Sequence, residues 1–159
     1  MITGGTGGAN TQTGAIFELN TDLKTNLNNA HIDLSQITFV QKWDFVYYMR
    51  KCKIDLVQVF GKNFLPDEAF IYQNHLFVIE KKYQEVSGSV DEKIQTGPYK
   101  QSVYERCAQL AGLNGATYIY LLNSSAFNKP KYTVDQIPYL IRNNIPVYFD
   151  NFPINEFFN

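Results

Sequence analysis

The sequence predicts an α/β domain in which a mixed sheet is flanked by helices, and three observations predict it. Apolar, β-branched runs of strand length occur at residues 76–79, 116–122 and 145–149. Segments with apolar residues at helical spacing stand before and between those runs. The connections within residues 54–83 are too short for crossover helices, so the strands there are expected to be antiparallel neighbours. The chain has 159 residues, 45% of them apolar, which is enough for a single domain with its own core over residues 1–159.

The elements follow in order. Residues 1–13 are mostly Gly, Thr, Asn and Gln, with no apolar run to bury, and are expected to form a flexible N-terminal arm. Ile16, Leu19, Leu23 and Leu27 then recur at helical spacing. Thr11 or Thr13 is placed to cap that helix, and Asn26, Asn28 and Asn29 to end it. Residues 37–53 carry features of both strand and helix.

Three strands are expected next: Ile54 to Phe60, closed by Gly61-Lys62-Asn63; a second from about Phe64 through Tyr72; and a third, LFVIEKKY, after Gln73-Asn74-His75. Ser89 and Glu92 fit a capping box. Gly97-Pro98 interrupts that short helix, and Pro98 suits the first turn of another, with Tyr99, Val103, Cys107 and Leu110 on one face. ATYIYLL reads as a buried strand, residues 133–142 as an amphipathic helix through Val134, Ile137 and Ile141, and IPVYFD as the last strand.

Composition removes several kinds of chemistry. Net charge is −1, so the chain as a whole presents no electrostatic footprint for nucleic acid, and any such footprint must be local. Cys52 and Cys107 have no metal-ligand spacing and are expected to be buried thiols in a reducing compartment. His31 and His75 stand apart, which argues against a zinc cluster or a histidine-based triad. No signal-peptide pattern opens the chain and no apolar run approaches bilayer length. The expected location is cytoplasmic or within a host cell, with no membrane partner.

The residues that carry chemistry lie on the second and third expected strands. Asp67 and Glu80 are joined through a tight turn, which can bring both carboxylates to one end of a sheet. Lys82 lies two residues past Glu80 and shares its face, whereas Lys81 points to the other. Two converging carboxylates repel, and a divalent cation removes that cost; hard oxygen ligands suit Mg²⁺, with Mn²⁺ as a substitute. Lys82 can then orient water or neutralise developing charge. A solvated strand end would also explain an E-K-K run. Leu76, Phe77, Val78 and Ile79 weigh against it, because they deliver Glu80 directly from a buried strand, where charge is costly unless paired or metal-bound.

PDEAF, a turn, and FVIEKK together resemble the PD-(D/E)XK nuclease superfamily, with Pro66-Asp67 as the PD element and Glu80-Lys81-Lys82 as E-x-K. The resemblance implies a restriction-endonuclease-like αβββαβ core and a Mg²⁺-dependent endonuclease that leaves 5′-phosphate and 3′-hydroxyl ends on DNA. GGANTQTGAIFE resembles the opening of the first helix in some type II restriction enzymes and related viral or phage nucleases, and EKKYQEVSGSVDEKIQT the stretch after their third strand. The likeness covers residues 7–18 and 62–111.

It implies Glu18 as a further catalytic and metal-site acid, with the backbone carbonyl of Lys81 as a metal ligand. Gln84, Asn10, Thr11, Ser89 and Lys93 are candidate substrate contacts, and Lys100 and Arg106 candidate backbone contacts. Gln95 and Tyr99 match a Q-x-x-x-Y spacing found in the recombination-nuclease and phage-exonuclease branch, but Gly97-Pro98 breaks the helix that would carry the pair. The expected partner is double-stranded DNA, cut by a homodimer. A junction- or end-processing nuclease, and a non-catalytic nucleic-acid-binding subunit of the same fold, remain alternatives.

Overall fold

The computed structural model describes residues 6–85 and 94–158, and in its first helix the side chains from Thr13 onward. Its centre is a five-stranded mixed sheet in the order β1-β2-β3-β4-β5, formed by Ile37–Phe39, Glu68–Tyr72, His75–Lys82, Ala116–Leu122 and Val147–Phe149. β1, β2 and β3 form an antiparallel meander, and β4 and β5 add parallel to β3. The β2–β3 register sets Glu68 opposite Ile79 and Tyr72 opposite His75. Gln73 and Asn74 both take positive φ in the turn between them, as a tight hairpin requires.

Helices cover both faces. Leu23 and Leu27 of α2 (Leu23–Asn29) pack with Phe17 of α1 (Thr6–Asn20) against Phe70, Ile79, Ile119 and Leu121, and Phe152 and Phe158 complete that layer. On the other face, α3 (Trp43–Lys51), α4 (Leu56–Phe60) and α5 (Gly97–Leu110) bury Phe45, Met49, Leu56, Val103 and Cys107 against Val78, Tyr118, Tyr120 and Leu122. Short helices α6 (Ser124–Phe127), α7 (Pro130–Thr133) and α8 (Gln136–Arg142) precede β5, and α9 (Ile154–Phe157) follows it. Gly97 opens α5 where a side chain would meet Leu140 and Tyr120 at 3.0 Å, so α5 lies close on the sheet only because that position is bare.

The architecture agrees with the expected α/β class, and several elements differ from expectation for identifiable reasons. Residues 54–60 are not a strand: Asp55 accepts a hydrogen bond from the Val57 N–H, α4 follows, and Gly61 ends it at φ +81°. The strand slot belongs to Ile37–Phe39 instead, paired with Phe70–Tyr72.

The first helix breaks at Thr21-Asp22, where Asp22 accepts from the Thr25 N–H and starts α2. Phe17 turns inward and Ile16 and Leu19 are exposed. From Thr6 onward the stretch expected as an arm is helical backbone, and Thr13, instead of capping, hydrogen-bonds Glu85.

In α5 the buried face runs through Val103, Tyr104, Cys107 and Ala108, leaving Tyr99 and Leu110 exposed. In the 133–142 segment Ile137 and Leu140 are buried, while Val134 and Ile141 are exposed. The Ser89–Glu92 capping box lies outside the described residues. Among the described residues no helix is long and apolar enough to cross a membrane.

Candidate functional site

Asp67 is positioned from both sides. Pro66 has no N–H to extend the strand, and its carbonyl accepts from the Lys42 N–H at 2.8 Å, which holds the β1–α3 connection against the start of β2. One residue on, Asp67 Oδ2 accepts from the backbone N–H of Lys81 at 3.0 Å. Oδ1 receives the Lys42 ammonium at 2.7 Å. The carboxylate is thereby fixed beside the C-terminal end of β3.

Alternation along β3 then divides its charges. Glu80 and Lys82 share one face, and Lys82 Nζ donates to Glu80 Oε1 at 2.5 Å. Both line a cleft of about 260 Å³ with Thr96, Lys100 and Tyr118. Beneath it the Tyr118 and Tyr120 hydroxyls hydrogen-bond to each other, and Tyr120 also bonds Thr96. Burial, and then the negative charge of Glu80, push Tyr104 and Tyr118 well above the usual tyrosine range. Burial is also the main cause that lifts Tyr120 to about 12. All three stay protonated, and of them Tyr118 lines the cleft.

Lys42 was not singled out from the sequence. Burial works against its ammonium, but the hydrogen bond to Asp67 and the charges of Asp67, Glu18 and Glu80 outweigh it and raise its pKa. No periodic signal marks Lys42. It follows a three-residue strand in the stretch that carried both helix and strand features, and it takes a positive φ of 52°. Only the long-range pairing of β1 with β2 brings it to Asp67. Thr96 and Tyr118 were missed for the same reason, since α5 and β4 reach the cleft through packing.

The other face carries a separate cluster. Lys81 Nζ lies 3.1 Å from Glu68 Oε2 and 3.4 Å from Glu18 Oε2, with only 3% of the Lys81 side chain exposed. Glu68 Oε1 accepts from the Leu23 N–H at 2.8 Å, which ties the start of α2 to the sheet. Burial raises the Glu68 carboxyl pKa against the opposing pull of Lys81 and the Leu23 N–H. Glu18, expected beside Asp67 and Glu80, makes its charged contact with Lys81, and only its field reaches Lys42.

The remaining candidates are placed as follows. Gln84 is buried just past β3, and its main chain is latched by Asn123: the Gln84 N–H donates to Asn123 Oδ1 at 2.9 Å, and Asn123 Nδ2 donates to the Gln84 carbonyl at 2.7 Å. Asn10 and Thr11 fall in α1, where their side chains lie outside the described set. Ser89 and Lys93 lie outside the described residues. Lys100 reaches the cleft, whereas Arg106 packs its guanidinium 5.6 Å from the Phe60 ring centre. Gln95 and Tyr99 are both exposed.

Among the described residues, no group of three or more His, Cys, Asp or Glu side chains is arranged to hold a metal ion. Asp67 and Glu80 nevertheless form a hard-oxygen pair, and each already holds a cationic ammonium. The Lys42 side chain is 57% exposed, so it can leave Asp67 Oδ1 for another cation at little cost. Asp67 and Glu80 are thus the side chains at this strand end that could hold a small divalent ion. No protein-family model matches this chain, and no curated protein or solved structure matches it either.

Proposed function

We propose that the chain is a Mg²⁺-dependent DNA endonuclease of PD-(D/E)XK type, with a restriction-endonuclease-like core and with Asp67, Glu80 and Lys82 as its centre. The observation that carries this reading is the convergence of two strands on one point. The hydrogen bond from the Lys81 N–H fixes Asp67 at the strand end where Glu80 and Lys82 meet on one face. The antiparallel β1–β3 meander followed by α5 and the parallel strand β4 supports the same core.

Asp67, Glu80 and the backbone carbonyl of Lys81 would hold the ion, and Mn²⁺ would substitute for Mg²⁺. Such an ion supplies a water of lowered pKa and stabilises charge on the phosphate oxygens. Lys82 acts as a cation that orients the attacking water or neutralises a non-bridging oxygen, and Lys100 stands across the cleft to meet the backbone. The water oxygen would bond to phosphorus and give up a proton to solvent, the bond to the 3′ oxygen would break, and that oxygen would take up a proton from solvent. The products carry 5′-phosphate and 3′-hydroxyl ends. Glu18 is a peripheral acid in this reading, acting through the field it exerts on Lys42.

A restriction-type enzyme would cut duplex DNA as a homodimer with two such centres. The second reading, a nuclease acting on branched or unpaired DNA, is favoured by the exposed aromatic face that begins at Trp43. The test is plasmid nicking with and without Mg²⁺, beside an Asp67→Asn protein. Nicking by the parent chain that needs Mg²⁺ and falls about 100-fold or more in the variant is the expected result. Equal nicking by both proteins would remove Asp67 from the chemistry.

A further inference from the structure

Helix α3 buries Phe45, Val46 and Met49 and turns a second set of large side chains to solvent. Trp43 and Tyr47 are 47% and 52% exposed, with ring centres 6.3 Å apart and planes tilted by 32°. The Arg50 guanidinium lies 5.7 Å from the Tyr47 ring centre. Positions 43, 47 and 50 follow the helical repeat, so three planar groups form one row. Single exposed aromatics are ordinary, but two in contact beside a guanidinium make a flat stacking surface.

On its other side Tyr47 borders a cleft of about 310 Å³ between α3 and β1. Phe39, Val40 and Tyr48 form its apolar walls, and Asp44 and Lys51 supply one acceptor and one cation at its edge. Aromatic walls with a few polar groups at the rim suit a planar heterocycle bearing exocyclic donors and acceptors. The row is joined to the carboxylate centre through the chain itself. The residue before Trp43 is Lys42, whose ammonium sits on Asp67.

We propose that this face of α3 and the cleft beside it bind unpaired bases of a nucleic-acid strand whose backbone continues to Asp67, Glu80 and Lys82. The proposal rests on the nuclease reading and names its substrate class: a strand with unpaired nucleotides next to the scissile phosphate. Stacking requires exposed base faces, which a closed duplex does not offer. Arg50 and Lys51 supply charge for the accompanying phosphates. A second copy of this chain is a poorer occupant. Symmetric docking through this face would bring like cations together, with Asp44 as the acid on the row to offset them.

Trp43 is the single tryptophan of the chain, so its emission reports on this face alone. The experiment is titration in EDTA, where no cutting occurs, with a labelled oligothymidylate strand and with a blunt hairpin of equal phosphate count whose loop is a non-nucleotide linker. Anisotropy and Trp43 quenching are read together, and sedimentation reports self-association.

The expected result is tighter binding of the single strand, quenching of Trp43, and a loss of about tenfold in single-strand affinity in Tyr47→Ala with hairpin affinity unchanged. Arg50→Gln, which leaves the buried face intact, shows the same selective direction. Equal affinity for both probes, or Trp43 emission unmoved at saturation, overturns the proposal. So does a dimer that Tyr47→Ala dissociates while strand binding persists. Selective strand binding without Mg²⁺-dependent cleavage would sink the nuclease reading and keep the base site. Cleavage without selective strand binding would do the reverse.

Discussion

At the end of β3, Lys81 and Lys82 are neighbours in sequence that face different surroundings. Lys81 is sealed under α1 and α2, where it neutralises the buried Glu68 and touches Glu18. Lys82 turns into a cleft, where it holds Glu80 among Thr96, Lys100 and Tyr118. The first face uses charge to hold two layers together, because Glu68 anchors the Leu23 N–H and so the start of α2. The second opens its charges onto a cleft, with 24% of the Lys82 and 13% of the Glu80 side chain exposed. A carboxylate–ammonium pair therefore has no fixed meaning, and the space it opens onto separates a structural pair from a candidate for chemistry.

The comparison can be broken most forcefully at Lys81. Lys81→Met keeps the side-chain volume and strands an ionised Glu68 in the interior, so unfolding stability should fall by about 3–5 kcal/mol in urea denaturation. Lys82→Met should cost less, about 1–3 kcal/mol, because 24% of the Lys82 and 13% of the Glu80 side chain are exposed and water reaches the carboxylate left behind.

The pH dependence sharpens the same contrast. Burial raises the Glu68 carboxyl above its ordinary value of 4.5. A raised pKa favours the protonated folded form, so that contribution is complete below 4.5 and is lost as pH rises through the folded value. The deficit of Lys81→Met should accordingly shrink as pH falls toward 4.5, when Glu68 takes up a proton and no longer needs its partner. A deficit that stays constant with pH would mean lost packing rather than a stranded charge.

The smallest expected effect lies one residue before the anchored N–H. Asp22 accepts from the Thr25 N–H at 3.0 Å and from its hydroxyl at 2.6 Å. Asp22→Ala should cost about 1 kcal/mol, read as a modest drop in the thermal midpoint. Cleavage by that variant should be unchanged, since the cleft lies on the opposite face.

Much of this contrast was legible in the residues themselves. A period of two along LFVIEKK assigns Glu80 and Lys82 to one face and Lys81 to the other, and the apolar runs of β3, β4 and β5 mark the sheet. What stayed hidden depends on distant contacts or on local competition. Residues 54–60 look β-branched, but an N-capping Asp55 and a left-handed Gly61 favour a short helix there. β1 is three residues long and is defined by its partner rather than by its own pattern. Lys42 inherits that difficulty: its approach to Asp67 exists only once β1 has paired. The Ile16–Leu27 stripe misled because the side chain of Asp22 divides it into two helices with different buried faces.

In the proposed nuclease the Lys82 face performs the chemistry and the Lys81 face supports it. Plasmid nicking in Mg²⁺ by Lys82→Met and Lys81→Met, compared at equal concentrations of folded protein, tests it most directly. Folded Lys82→Met should lose about 100-fold or more in rate, while folded Lys81→Met retains most of it. Parental nicking by Lys82→Met, or equal loss in both variants, would contradict it.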